Sequence, residues 1–212
     1  MYKKLITFLK NPERPEKLVP ISVKDFFTLL IMILILIIPY AFVLEQIDLS
    51  QFDNLIEELL EKYKWLVVIG AIVFAPLLEE PTFRGPLNYK TKSIYLGIGL
   101  SILFISELYF IAIAYMGFLF FILMKVKDGE PPKLKWVIYV SSAFFGLVHL
   151  GNYQGFDWIG QFYYIPVLVG VQFVLGLVLS YIRIHHGLKS CMLFHAAYNA
   201  TFLIPFALFG ES

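Results

Sequence analysis

The chain has 212 residues, 59% of them apolar and only 16% charged. A soluble domain with that balance could not cover its own surface, so the composition excludes a soluble catalytic domain and predicts an all-α, polytopic membrane bundle. The net charge of +1 gives no reason to expect a nucleic-acid partner, and a single cysteine, Cys191, excludes an internal disulfide.

Residues 1–25 read as a basic N-terminal segment, and Leu5–Leu9 is too short for the apolar core of a signal peptide. A single transmembrane domain is expected over 26–209. Seven spans are predicted near 26–44, 65–88, 93–106, 108–124, 135–150, 162–182 and 188–209. Residues 93–124 are divided only by Ser106-Glu107, which favours a tight hairpin with Glu107 at its tip. One long tilted helix is the alternative. With the N-terminus inside, 15 of the 17 lysines and arginines fall on the inner side, leaving only Lys62 and Lys64 outside. The expected setting is a prokaryotic cell membrane with the N-terminus cytoplasmic.

Between the first two spans, Phe52, Leu55, Ile56, Leu59, Leu60 and Tyr63 form an apolar stripe at helical spacing. Asp53, Glu57, Glu58 and Glu61 occupy the other face, and Ser50 suits an N-cap. This predicts one interfacial amphipathic helix over 50–63, either a linker or a gate. The aromatic, glycine-bearing loop 151–161, with Gly155 and Trp158, is an interfacial loop or a second gate.

Charged residues inside apolar spans are expensive and point to function. Glu79, Glu80 and Arg84 lie in the second span, His149 in the fifth and His195 in the last. Each belongs to a four-residue helical pair: Glu80 with Arg84, Phe145 with His149, His195 with Asn199. Adjacent carboxylates point about 100° apart, so Glu79 and Glu80 are expected to face different places. Pairing of Glu80 with Arg84 leaves Glu79 as the candidate general base. Pro76, Pro81 and Pro86 each remove a backbone N–H, predicting a kink and freed carbonyls that only protein or water could satisfy. The structural alternatives are a snorkelling cluster at a helix end, an interfacial His149, and plain interhelical bonding by His195 and Asn199. His185 and His186 sit among basic residues at a membrane edge and read as interfacial. Counting ~1.5 Å per residue from the helix ends puts Glu79 roughly 15 Å, His195 roughly 12 Å, Asn199 roughly 18 Å and His149 roughly 22 Å deep, gaps that side-chain reach can close, with His149 the strained member.

The ordered motifs Glu-Glu-x-x-x-Arg (79–84), Phe-x-x-x-His (145–149) and His-x-x-x-Asn (195–199) resemble the CPBP family, over about residues 65–205. That family includes type II CAAX prenyl endopeptidases, Abi proteins and bacteriocin self-immunity proteins. Phe83-Arg84-Gly85 adds to the likeness, whereas Pro81-Thr82 and the long stretch between the first two motifs depart from the usual pattern. The resemblance implies an intramembrane endopeptidase whose Glu79 activates water with help from His149. His195 and Asn199 would stabilise the oxyanion, and Glu80 and Arg84 would position the helix. It also implies a membrane-associated protein or peptide substrate and no cofactor; a metal held by the glutamates and histidines is not favoured, since no His-Glu-x-x-His signature occurs. An immunity or scaffolding role within the same family is the first alternative. A proton- or cation-coupled transporter is the second.

Overall fold

The computed structural model describes residues 1–45, 53–105, 108–154, 157 and 160–209, and helices dominate the architecture. The helices are α1 (Tyr2–Lys10), α2 (Val23–Glu45), α3 (Leu55–Ile69), α4 (Ala75–Phe83), α5 (Thr91–Ser101), α6 (Tyr109–Lys127), α7 (Leu134–Val148) and α8 (Ile165–Phe209). A π-helical turn, Gly70–Phe74, joins α3 to α4. The only extended pairing among the described residues is two residues long, Asp53–Asn54 antiparallel to Tyr153–Gln154.

Polarity is distributed as a membrane protein requires. Ile31, Ile35, Ile38 and Phe42 of α2 and Ile113 and Phe120 of α6 are exposed, while Glu80, Arg84, Thr82 and Ser142 are at most 1% exposed. Lipid supplies no hydrogen bonds, so polar groups gather inside and apolar ones face out.

Among the described residues, five helical stretches are long and apolar enough to cross a membrane: Val23–Tyr40, Glu58–Phe83, Tyr109–Lys127, Leu134–Asn152 and Phe162–Phe209. The predicted count of seven differs at two places. Thr91–Phe104 is apolar but short; at ~1.5 Å per residue it reaches only about 20 Å of a ~30 Å core. Phe162–Phe209 spans 48 residues and contains both the sixth and seventh predicted segments. Its helix breaks at Gly187, where φ is 87° and ψ 172°, a conformation open essentially to glycine alone. Beyond the break the chain doubles back. The Cys191 thiol lies 3.2 Å from the Leu179 carbonyl, whereas twelve residues of straight helix would separate them by about 18 Å.

Residues 93–124 form two helices, as the expected hairpin requires, and not the one long helix of the alternative: α5 and its 3-10 extension end at Phe104 and α6 starts at Tyr109. Ser106 and Glu107 themselves lie outside the described residues, as do Ser50, Phe52, Gly155 and Trp158. The amphipathic helix appears from Leu55, and a non-helical Tyr63 (φ −138°, ψ 43°) separates it from the membrane segment that follows.

The N-terminal segment packs onto the bundle instead of standing apart. Leu5 and Phe8 enter the main core, Tyr139 donates to the Leu9 carbonyl at 3.2 Å, and Val19 N–H donates to the His185 carbonyl at 3.2 Å. Tyr89 donates to the Pro132 carbonyl at 2.7 Å. The basic segments around 1–24, 84–92, 125–135 and 183–189 are thus collected at one end of the molecule. His186 sits at that end with Nδ1 2.7 Å from the Val19 carbonyl.

Candidate active site

The second membrane segment is built to hold carboxylates. Its π turn closes with Ala75 N–H on the Gly70 carbonyl, five residues back. In that register the next donor, to the Ala71 carbonyl, would be residue 76, which is proline. Asn199 fills the gap, with Nδ2 2.7 Å from the Ala71 carbonyl. The predicted kink is therefore a π turn ahead of Pro76, and α4 runs on through Pro81.

The far end of α4 is satisfied the same way. A helix leaves its last carbonyls without partners, and Pro86 removes one further donor. Tyr115 donates to the Thr82 carbonyl at 2.9 Å, Ser141 to the Phe83 carbonyl at 2.6 Å, and Arg183 Nε to the Arg84 carbonyl at 3.0 Å. Three other helices thereby fix the segment that carries Glu79, Glu80 and Arg84.

His195 is the centre of the cluster. Its Nδ1 lies 2.8 Å from Glu80 Oε1 and its Nε2 lies 3.8 Å from Glu79 Oε2. The expectation that the two carboxylates must serve different places is corrected. They diverge as helix geometry demands, and one imidazole spans the divergence because its nitrogens lie on separate edges. The Glu80–Arg84 pair is also looser than its spacing suggests, at 3.6 Å. The short contacts of Glu80 go elsewhere: to His195, and from Cys191 Sγ to Oε2 at 2.8 Å.

Arg84 is held by an aromatic face. Its guanidinium carbon stands 3.9 Å from the Phe145 ring centroid, a cation–π contact worth about 2 kcal/mol when desolvated. Phe145 also meets His149 and His195 edge-on, with centroids 4.8 and 5.8 Å away. It is the partition against which the two histidines and the arginine are arranged. Gly176 makes room for this, since a Cβ there would lie 2.9 Å from Arg84 Nη2 and 3.2 Å from the Ser142 Cα.

His149 turns Nδ1 to the Phe145 carbonyl at 2.6 Å. A carbonyl only accepts, so the proton sits on Nδ1 and Nε2 keeps its lone pair. His149, Glu79, His195 and Asn199 all line one cavity of about 410 Å³, together with Gln172 and Tyr198. Glu79 Oε2 is buried there with no hydrogen-bond partner among the described residues. Among the described residues no three His, Cys, Asp or Glu side chains are placed to hold one metal ion.

All seven residues singled out in the sequence, Glu79, Glu80, Arg84, Phe145, His149, His195 and Asn199, meet in this region. Four further residues belong to it. Tyr115, Ser141 and Arg183 carry no sequence signal, because they act on backbone carbonyls of a distant helix. Cys191 did carry one: it lies four residues before His195, on the same helix face.

Two comparisons with known proteins gave nothing, since no curated protein and no solved structure matches the chain. A third did: a family model described as type II CAAX prenyl endopeptidase Rce1-like matches residues 61–201. That is more than half of the chain, and it contains all three motifs.

Proposed function

Because the chain belongs to the Rce1-like type II CAAX prenyl endopeptidase family, we propose that it is an intramembrane endopeptidase in which Glu79 activates the attacking water. The observation that carries the reading is the contrast between the two glutamates. Glu80 is saturated by His195, Cys191 and Arg84. Glu79 has a buried oxygen at the wall of the cavity that accepts no hydrogen bond among the described residues and touches His195 only at 3.8 Å.

The chemistry follows from the contacts. Glu79 removes a proton from a water in the cavity, and the hydroxide adds to the carbonyl carbon of the scissile bond. His149 Nε2, left as a lone pair by the Nδ1 bond to Phe145, accepts the other water proton as a hydrogen bond and orients the water. Glu80 fixes the His195 ring through Nδ1, so that Nε2 faces Glu79 and the substrate. In its doubly protonated form the ring donates Nδ1–H to Glu80 and Nε2–H to the oxyanion as it forms. Asn199 spends one Nδ2 hydrogen on Ala71 and has a second to offer the same oxygen. As the C–N bond breaks, Glu79 returns its proton to the leaving amine. No step requires a metal.

The reading includes the predicted topology: the end that collects the basic segments faces the cytoplasm, and the α8 hairpin at Gly187 supplies the last two crossings. The substrate is a membrane-associated protein or peptide that reaches the cavity beside α7 and α8. Terminal peptides of membrane proteins, compared by mass spectrometry in cells making wild type or Glu79→Gln at matched levels, test it. New termini confined to wild type are expected. Identical sets of termini, with both proteins folded and abundant, would remove the proteolytic reading.

A further inference from the structure

A second cavity, of about 210 Å³, opens at the end of the molecule where the N-terminal segment lies. Three cations line it: Arg14, Lys90 and Arg183. No carboxylate does. Like charges brought together without a counter-ion repel, and Arg14 and Arg183 lie within each other's field. Arg183 is 9% exposed, so water screens it little. The carboxylate it feels is Glu80, whose oxygens are directed to His195 and Cys191. Neither arginine forms an ion pair with a carboxylate among the described residues. Each commits one nitrogen to a carbonyl, Arg14 Nη2 to Leu87 at 2.5 Å and Arg183 Nε to Arg84 at 3.0 Å. Arg14 also lies against the Tyr89 ring, 4.7 Å from its centroid, yet each guanidinium has more N–H groups than these contacts use, and those are open to a ligand.

We propose that this cavity binds a phosphate group, carried by an anionic lipid headgroup or free in solution. Guanidinium forks match phosphate oxygens in geometry and charge, and a pocket between helix ends at a membrane face is where headgroup phosphates lie. The cavity holds one such group and no apolar body. Its two arginines grip carbonyls on either side of Gly85-Pro86, the turn that ends the Glu79–Arg84 helix. A bound phosphate therefore clamps the N-terminal segment, α8 and that turn together. The site lies outside the 410 Å³ cavity, and its occupancy does not depend on proteolysis.

The test is thermal unfolding of the full chain in a neutral detergent, followed by tryptophan fluorescence. Sodium phosphate is titrated against sodium chloride at equal ionic strength. Short-chain phosphatidylglycerol is titrated against phosphatidylcholine. A saturable rise in Tm with phosphate, phosphatidylglycerol or both is expected, since a ligand that binds only the folded state raises stability. A rise with phosphatidylglycerol alone identifies a headgroup site; a rise with phosphate alone identifies a free anion. Lys90→Gln, at an exposed position, should fold normally and raise the half-saturating concentration about fivefold. Arg14→Gln should do the same, and Lys189→Gln, which does not line the cavity, should leave it unchanged. No rise with either ligand in wild type, or unchanged half-saturation in Lys90→Gln, would overturn the proposal.

Discussion

Two neighbouring glutamates sit in different environments here, and the separate tasks proposed for them rest on that difference. Glu80 is completely buried and holds three partners of different kinds: an imidazole, a thiol and a guanidinium. Removing it strands Arg84, two of whose buried guanidinium nitrogens have no hydrogen bond among the described residues. Breaking a buried charged group out of its partners costs about 3–5 kcal/mol. Glu80→Ala is therefore expected to lower Tm sharply, and by more than Arg84→Ala, because Arg84 keeps Glu80 less tightly than His195 does. Glu79→Gln should leave Tm unchanged or slightly raised while abolishing cleavage, since that oxygen accepts no hydrogen bond among the described residues and its contact with His195 is long, at 3.8 Å. Thermal unfolding of the three variants in detergent gives the order, and equal Tm values for Glu80→Ala and Glu79→Gln would contradict the division of labour. The identity of these residues was legible in the sequence because charge inside an apolar span is conspicuous. Their contacts were only half legible. Spacing paired Glu80 with Arg84, whereas the stronger contacts come from residues 111 and 115 positions away, Cys191 and His195. No local rule reports those.

Between residues and the whole molecule stands the π turn before Pro76. Three prolines announced that carbonyls would be freed, but which carbonyl depends on register. In an α register Pro76 deprives Ile72; in the π register it deprives Ala71. The structure adopts the second, and Asn199 bonds that carbonyl across the bundle. The partner on another helix selects the local register, so the sequence of the segment alone could not disclose it. The interaction is testable by a double-mutant cycle. Asn199→Leu leaves a buried acceptor unpaired and should cost about 1–3 kcal/mol. Pro76→Ala restores a backbone N–H where Ala71 needs one, so the loss from Asn199→Leu should shrink in the Pro76→Ala background. A coupling of about 0.5–3 kcal/mol is expected; strict additivity would show that Ala71 and Pro76 are unconnected. Helix contact imposes a second constraint at this scale. Gly176→Ala would drive a methyl group into Arg84 and the Ser142 backbone, with an overpacking cost of about 1–3 kcal/mol and reduced cleavage, because Arg84 would lose its seat on Phe145.

At the scale of the molecule, the arrangement depends on the chain reversing at Gly187. The apolar pattern of 162–209 shows where membrane segments run, and a reader of the sequence places the join at the basic cluster around Arg183 and Lys189 without difficulty. What the pattern does not show is how abruptly the join turns. With φ of 87° and ψ of 172° at a single residue, the helix after the break is laid back against the helix before it. That reversal carries Cys191 and His195 to Glu80, and Asn199 to Ala71. A side chain at Gly187 is opposed by its backbone conformation more than by its surroundings, since a Cβ would meet only Leu18, at 3.6 Å. Gly187→Ala is therefore expected to cost about 1–3 kcal/mol through strain, seen as a lower Tm. Activity should fall beyond what reduced folding explains, because relief of the strain reopens the hairpin and withdraws His195 from both glutamates. Gly99→Ala is the control. Its Cβ meets nothing within 4 Å and its backbone is helical, so it should be neutral or stabilising by up to about 1 kcal/mol. A Gly187→Ala protein with wild-type Tm and cleavage would mean that the hairpin, and the meeting of motifs it produces, is not set by this residue.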